Sequence, residues 1–209
     1  MKKIIAIIAV LMFAPALAFA QTGLNVGDSF LSISIGEPDA KNEIENSQWG
    51  NKEGVSFGVQ YLRTIAPVLA FGVEANGNLF SKTENLAWDS YYNFFTEEVE
   101  TSIFNFMLAG RLYLNRHAAR VYVPFGTGVG ISRFEISASK NGSILGKEKE
   151  TTTGLAWYAG LGFEGEISNH IVLGIEGRIN GTSARIDMLE KTYYPLYITV
   201  MARLGFKFQ

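Results

Sequence analysis

From Tyr194 to Phe208 the chain alternates between two kinds of position. Tyr194, Leu196, Ile198, Val200, Ala202, Leu204, Phe206 and Phe208 are all apolar or aromatic, whereas Pro195, Tyr197, Thr199, Met201, Arg203, Gly205 and Lys207 form a mixed set. A period of two sustained over this length predicts a β-strand. It is longer than the five or six residues usual in globular strands. Crossing a bilayer core takes about 9 to 11 tilted residues, and aromatics at both ends with aliphatics between match the girdles of a membrane barrel. Leu196, Ile198, Val200, Leu204, Phe206 and Phe208 are therefore expected to face lipid.

The same alternation recurs through residues 27–36, 53–63, 68–80, 101–114, 121–134, 155–166 and 173–180, giving eight predicted strands. Pro124 fits this scheme poorly, because proline donates nothing to a ladder and a closed barrel has no edge to hide it on. The connections alternate in length: 64–67, 115–120 and 168–170 are short, while 37–52, 81–100, 135–152 and 181–192 are long and polar. Short turns on one rim and long loops on the other describe an outer-membrane barrel. An even number of strands puts both chain ends on the side of the short turns. The predicted fold is all-β, a closed antiparallel eight-stranded transmembrane up-and-down β-barrel preceded by a cleaved signal peptide.

The opposite face carries the charges. An isolated charge facing hydrocarbon costs a few kcal/mol near the midplane, so Glu74, Arg111, Glu164, Glu166, Glu176, Arg178, Arg203 and Lys207 are expected inside. These are four acids and four bases. A barrel of eight strands has a lumen that side chains just fill, so opposite charges there are expected to pair and plug it. Glycines of the inward set, Gly126, Gly128, Gly130, Gly160 and Gly162, either leave room for long and aromatic side chains or permit strong strand curvature.

The first twenty residues carry Lys2 and Lys3, an apolar run from Ile4 to about Leu11, and Ala18-Phe19-Ala20 before Gln21. That is the layout of a secretory leader cleaved after Ala20, leaving residues 21–209 as one barrel domain. Without Lys2 and Lys3 the chain has 16 basic against 20 acidic residues, a formal charge of -4, which argues against a nucleic-acid partner. With no cysteine, thiol chemistry, disulfides and cysteine-ligated metals are excluded.

The stretches Arg120-Val-Tyr-Val-Pro-Phe-Gly-Thr-Gly-Val-Gly130 and Tyr158-Ala-Gly-Leu-Gly-Phe-Glu-Gly-Glu166, together with the aromatic last strand, resemble the small eight-stranded outer-membrane β-barrel family, the group of outer membrane proteins A and X. The family commonly ends on an aromatic residue read by the barrel-insertion machinery; here Gln209 follows Phe208. The resemblance implies the bacterial outer membrane as location. It implies outer-membrane lipid and lipopolysaccharide, the insertion machinery and periplasmic chaperones as partners, and a monomer.

Some such barrels act on lipid A with a His, a Ser and an acid near the outer leaflet. Here His117 and His170 both fall in short turns, on the opposite rim. No catalytic, cofactor or metal site is predicted. Asn141-Gly-Ser143 reads as a turn, and Gly126-x-Gly128-x-Gly130 lacks the spacing and helix of a dinucleotide site. Glu97, Glu98 and Glu100 beside Tyr91, Tyr92, Phe94 and Phe95 are read as a solvated loop with interfacial aromatics, the alternative being a binding surface. The expected function is a non-enzymatic structural or surface-interaction role through four long extracellular loops and an unidentified ligand. The alternatives are a narrow channel for small or apolar solutes and an enzyme modifying lipid A, with a soluble lipocalin-like barrel as a further one.

Overall fold

The computed structural model describes residues 24–40, 52–81, 83–88, 94–140, 143–186, 191–193 and 196–208. The expected leader, Tyr91, Tyr92, the Asn141-Gly142 start of the expected turn, and Gln209 lie outside the described residues, as do the side chains of Phe94, Phe95 and Glu97. Eleven strands follow in order among the described residues: β1 (Ser29–Ala40), β2 (Lys52–Ala66), β3 (Leu69–Phe80), β4 (Thr83–Trp88), β5 (Phe94–Tyr113), β6 (Ala119–Lys140), β7 (Ser143–Glu166), β8 (Ile171–Thr182), β9 (Ala184–Ile186), β10 (Lys191–Tyr193) and β11 (Leu196–Phe208).

Eight of them close a ring. β1 pairs antiparallel with both β2 and β11, β3 pairs with β5, and β5 through β8 continue as neighbours to β11. Ile33 stands opposite Val59 on one side and Leu204 on the other. Every central strand thus has both edges satisfied, as a membrane requires of its spanning backbone. β4 is an added strand on the upper part of β5, and β9 with β10 forms a separate two-stranded ladder.

Alternation sorts the side chains. Leu196, Ile198, Val200, Phe206 and Phe208 are exposed on the outer face, with Ile33, Val59, Val73, Phe106, Leu108, Val129, Leu155 and Leu161 around the ring. Tyr197, Thr199, Met201, Arg203 and Lys207 are buried inside. A soluble carrier lined with apolar side chains is the inverse of this arrangement.

The segments expected as long loops are in large part strand. β5, β6 and β7 run for 20, 22 and 24 residues, so 94–100, 135–140 and 143–152 extend the ladder instead of looping. At about 3.3 Å per residue, β7 is roughly 80 Å of strand. A core of about 30 Å crossed at about 45° uses roughly 40 Å of it. The rest, with β4 and the upper parts of β5 and β6, stands beyond the barrel as a protruding sheet.

At the other end are the short connections 67–68, 114–118 and 167–170, with the start of β1 and the end of β11. Residues 24–28 cross this mouth: Leu24 N donates to Arg116 O at 3.4 Å and Gly27 N to Thr64 O at 2.8 Å. Leu24 is buried in one cluster with Phe30, Leu62, Tyr113 and Tyr122. Gly27 has φ +98, a conformation glycine adopts without penalty.

Pro124 points inward opposite Arg111 on β5. On the β7 side the ladder passes from Tyr122–Gly162 to Phe125–Ala159, skipping Val123 and Pro124. The missing N–H is thus accommodated by a local gap. Four of the inward glycines meet two kinds of neighbour. At Gly126 a Cβ would meet the Tyr158 ring at 2.5 Å, and at Gly162 the Tyr122 ring at 2.2 Å. At Gly128 and Gly160 it would meet the backbone carbonyls of Phe106 and Gly177 at 2.1 Å. The first pair make room for aromatics, and the second allow close strand approach. Two outward glycines also make room for rings: Gly110 lies under Phe125 and Gly181 under Trp157, each directly across the ladder.

Candidate functional site

Among the described residues ten charged side chains are buried in the interior, nine on barrel strands and Asp28 just before β1: Asp28, Glu74, Glu164, Glu166 and Glu176 against Arg111, Arg120, Arg178, Arg203 and Lys207. They form one connected network. At the short-turn end, Lys207 Nζ lies 3.0 Å from Asp28 Oδ2 and 3.2 Å from Glu166 Oε1. Arg120 reaches Glu166 Oε1 with Nη1 at 2.8 Å and donates Nε to Glu164 Oε1 at 3.0 Å. Arg111 Nη1 pairs with Glu164 Oε2 at 2.6 Å, and its Nη2 donates to Gln60 Oε1 at 2.7 Å. Gln60 Oε1 also accepts from Arg203 Nη2 at 2.6 Å.

Midway, Glu176 collects Arg203 Nη1 at 3.0 Å, Tyr122 OH at 2.8 Å and Arg178 Nε. Arg178 also pairs with Glu74, which accepts the Tyr158 hydroxyl at 3.0 Å. Arg178 lies 3.9 Å from the centre of the Tyr158 ring and Arg111 4.6 Å from that of Tyr122. Charges so deep are tolerable only when paired and hydrogen-bonded.

Toward the long strands the interior becomes neutral. Asn76 Nδ2 donates to Glu74 Oε1 at 2.9 Å, and Asn76 Oδ1 accepts from Asn105 Nδ2 at 2.8 Å. Asn78 donates to Tyr197 OH at 3.0 Å and Asn180 to Thr199 Oγ1 at 2.7 Å. Phe80 stands edge-on to Tyr197 with centroids 5.4 Å apart, and Ile103 is buried with them.

The structure places all eight charges expected inside within this one network. It adds Asp28, Arg120, Gln60, Tyr122, Tyr158 and the asparagines, of which the sequence gives weaker signals. Arg120 lies one residue before the expected strand start at 121, and Asp28 precedes β1. Tyr158, Asn76, Asn78, Asn105 and Asn180 carry no charge, so alternation places them on the polar face without assigning them a task.

The protruding sheet carries its own cluster on the outer face. Glu135 is paired with Lys147 and, at 3.0 Å, with Lys149, and Arg133 lies 3.7 Å away. Hydrogen bonds from Lys147, then Lys149, pull the Glu135 carboxyl down to about 2. Glu100 stands directly across from Glu135 and Glu84 across from Glu98. Above Leu155, β7 is laddered to β6 alone among the strands described. His117 and His170 sit exposed in the short connections, far in the fold from this sheet. Among the described residues no group of three or more His, Cys, Asp or Glu is placed to hold a metal ion.

Residues 5–208 match the family model described as outer membrane protein beta-barrel domain. No curated protein sequence matches the chain. The fold is similar to the crystal structure of Ail, the attachment invasion locus protein of Yersinia pestis, at 17% identity and TM-score 0.52, covering 88% of this chain and 100% of that one. It is also similar to a major outer membrane protein from Thermus thermophilus, at 8% identity and TM-score 0.51, covering 87% and 99%. At these identities the likeness is one of fold. The chain belongs to the outer-membrane β-barrel domain family and resides in the outer membrane.

Proposed function

We propose that this member of the outer-membrane β-barrel family is a non-enzymatic protein with a plugged interior, whose role is structural or lies in contacts made by its outer surface. The carrying observation is the balance inside the lumen, where five acids and five bases are buried and joined in one network. A conducting pore needs water along its axis, whereas these groups are held by one another. Leu24 and the hydrogen bonds that Leu24 and Gly27 make across the short-turn mouth support the same reading. So do the buried Phe80, Ile103 and Tyr197 at the opposite end.

The surface for contacts is the protruding sheet of β4 to β7 with the segments that connect the long strands, since binding tends to reside in elements raised on a rigid scaffold. The partner is an unidentified extracellular ligand. Lipopolysaccharide surrounds the barrel, and the insertion machinery and periplasmic chaperones deliver it as a monomer after cleavage at Ala20. His117 and His170, on the short-turn rim, lie away from any substrate in the outer leaflet.

Purified protein in planar bilayers tests the plug: no resolved conductance steps are expected, and reproducible ohmic steps would establish the narrow-channel alternative. Mass spectrometry of lipid A from cells with and without the protein tests the enzymatic one. Identical spectra are expected, and a modification lost in His117→Ala or His170→Ala would overturn the non-enzymatic reading.

A further inference from the structure

On the outer face of β2 the alternate positions run Val55, Phe57, Val59, Tyr61, Arg63 and Ile65, all exposed. Arg63 is the one charge in this row, and it stands at the short-turn end. Strand register surrounds it with apolar and aromatic positions. It lies across from Phe71 on β3 and from Ser29 on β1, and Ser29 lies in turn across from Phe208 on β11. The rings of Tyr61 and Phe208 pack with centroids 6.3 Å apart. Tyr61, Phe71 and Phe208 form this side of the aromatic girdle at which a barrel meets the headgroup layer.

No carboxylate answers the Arg63 guanidinium. Among the described residues of the short-turn rim the acids are Asp28, Glu164 and Glu166, all buried inside the barrel on the other side of its wall. Asp28 Oδ2 is already held by Lys207 Nζ at 3.0 Å and Asn25 N at 2.9 Å. The exposed basic side chains described on the same rim are Arg63, Arg116, His117 and His170. The rim is thus basic without a compensating acid. An arginine on the lipid face is tolerated at the interface and not at the midplane, and there its fork meets phosphate through two parallel hydrogen bonds.

We propose that Arg63, among Tyr61, Phe71 and Phe208, is a binding site for the phosphate of an anionic phospholipid in the periplasmic leaflet. The site lies on the outside of the wall, so it stands or falls separately from the sealed interior. The chain has no cysteine, so a fluorophore on Val59→Cys, in the same outer row and nearer the membrane centre, reports on the lipid held beside Arg63. In reconstituted vesicles, quenching by phosphatidylglycerol brominated in its acyl chains, in competition with unbrominated phosphatidylcholine, gives the relative affinity of the two lipids at that position.

A preference for phosphatidylglycerol of about fivefold is expected, the effect of one basic residue at an anionic surface. It should be lost in Arg63→Gln and largely kept in Arg63→Lys, which preserves the charge. No preference with Arg63 in place would overturn the proposal, as would a preference that Arg63→Gln leaves unchanged. Equal loss in Arg63→Lys and Arg63→Gln would do the same, because disturbance of the wall and not the missing charge would then be the cause.

Discussion

Replacing Glu176 with alanine is the sharpest perturbation of the interior, because this carboxylate stands between two arginines and a tyrosine. Its Oε2 accepts from Arg203 Nη1 at 3.0 Å and Tyr122 OH at 2.8 Å, and its Oε1 pairs with Arg178 Nε. Arg178 keeps Glu74 as a partner, but among the described residues Arg203 is left with the neutral Ser32 Oγ and Gln60 Oε1. Glu176→Ala therefore leaves one guanidinium buried without a carboxylate and one tyrosine hydroxyl unpaired. Breaking a buried pair by removing one member costs about 3 to 5 kcal/mol, and the orphaned hydroxyl adds about 1 kcal/mol or more. Equilibrium unfolding by guanidinium in detergent micelles should show a loss of about 4 to 6 kcal/mol or a failure to refold. In Glu176→Ala/Arg203→Met, removal of both charges should recover a substantial part of that loss. A single variant within about 1 kcal/mol of the native protein would refute the reasoning. It would mean that water reaches this level of the lumen and replaces the carboxylate.

Two further outcomes follow from local geometry. Gly162→Ala places a Cβ 2.2 Å from the fully buried Tyr122 ring, whose hydroxyl is held by Glu176, and should cost about 1 to 3 kcal/mol by overpacking. Gly146→Ala, with nothing within 4 Å of the new Cβ, should leave the unfolding midpoint nearly unchanged, and equal effects at the two sites would contradict the Gly–Tyr packing. The Glu135 carboxyl, depressed to about 2 by Lys147 and Lys149, contributes its stabilisation above the ordinary carboxylate range and loses it as pH falls through about 2. Its side-chain carboxyl carbon resonance should titrate there, and the midpoint should move up toward the usual range in Lys147→Ala/Lys149→Ala. An unchanged midpoint would contradict the assigned cause.

The membrane part of this fold is legible in sequence because hydrocarbon outside and packed polar groups inside impose a strict two-residue period. Leu196 through Phe208 carry it without a break. The protruding sheet is not legible in that way. From Glu135 to Lys140 and from Ser143 to Thr152 both faces of the ladder lie beyond the apolar band, so backbone pairing continues after the alternation has stopped. Glu135 and Lys149 stand directly opposite each other, a relation set by strand register and not by any pattern along the chain. Inside, alternation collects Glu74, Glu164, Glu176, Arg178 and Arg203 on one face but not their pairings, which depend on how strands far apart in sequence meet across the lumen. Arg120 shows the cost of reading strand starts from pattern: the expected strand begins at 121, one residue past it, whereas β6 begins at Ala119. The glycines needed the structure too, since Gly128 meets backbone and Gly126 meets a ring, and nothing along the chain distinguishes them.

The central claim is that one side of each strand faces lipid and the other a packed, charge-paired interior, and β11 tests it most directly. The native chain contains no cysteine, so single cysteines at successive positions from 197 to 204 can each carry a nitroxide in reconstituted bilayers. Accessibility to oxygen and to a water-soluble nickel chelate is then read at each label. Val200 is 47% exposed and Met201 3%. Labels at positions 198, 200 and 204 should be relaxed strongly by oxygen and weakly by nickel, while those at 197, 199, 201 and 203 should be shielded from both. Strong relaxation by nickel at the odd-numbered positions would contradict the account, showing a water-filled lumen where a sealed one is described.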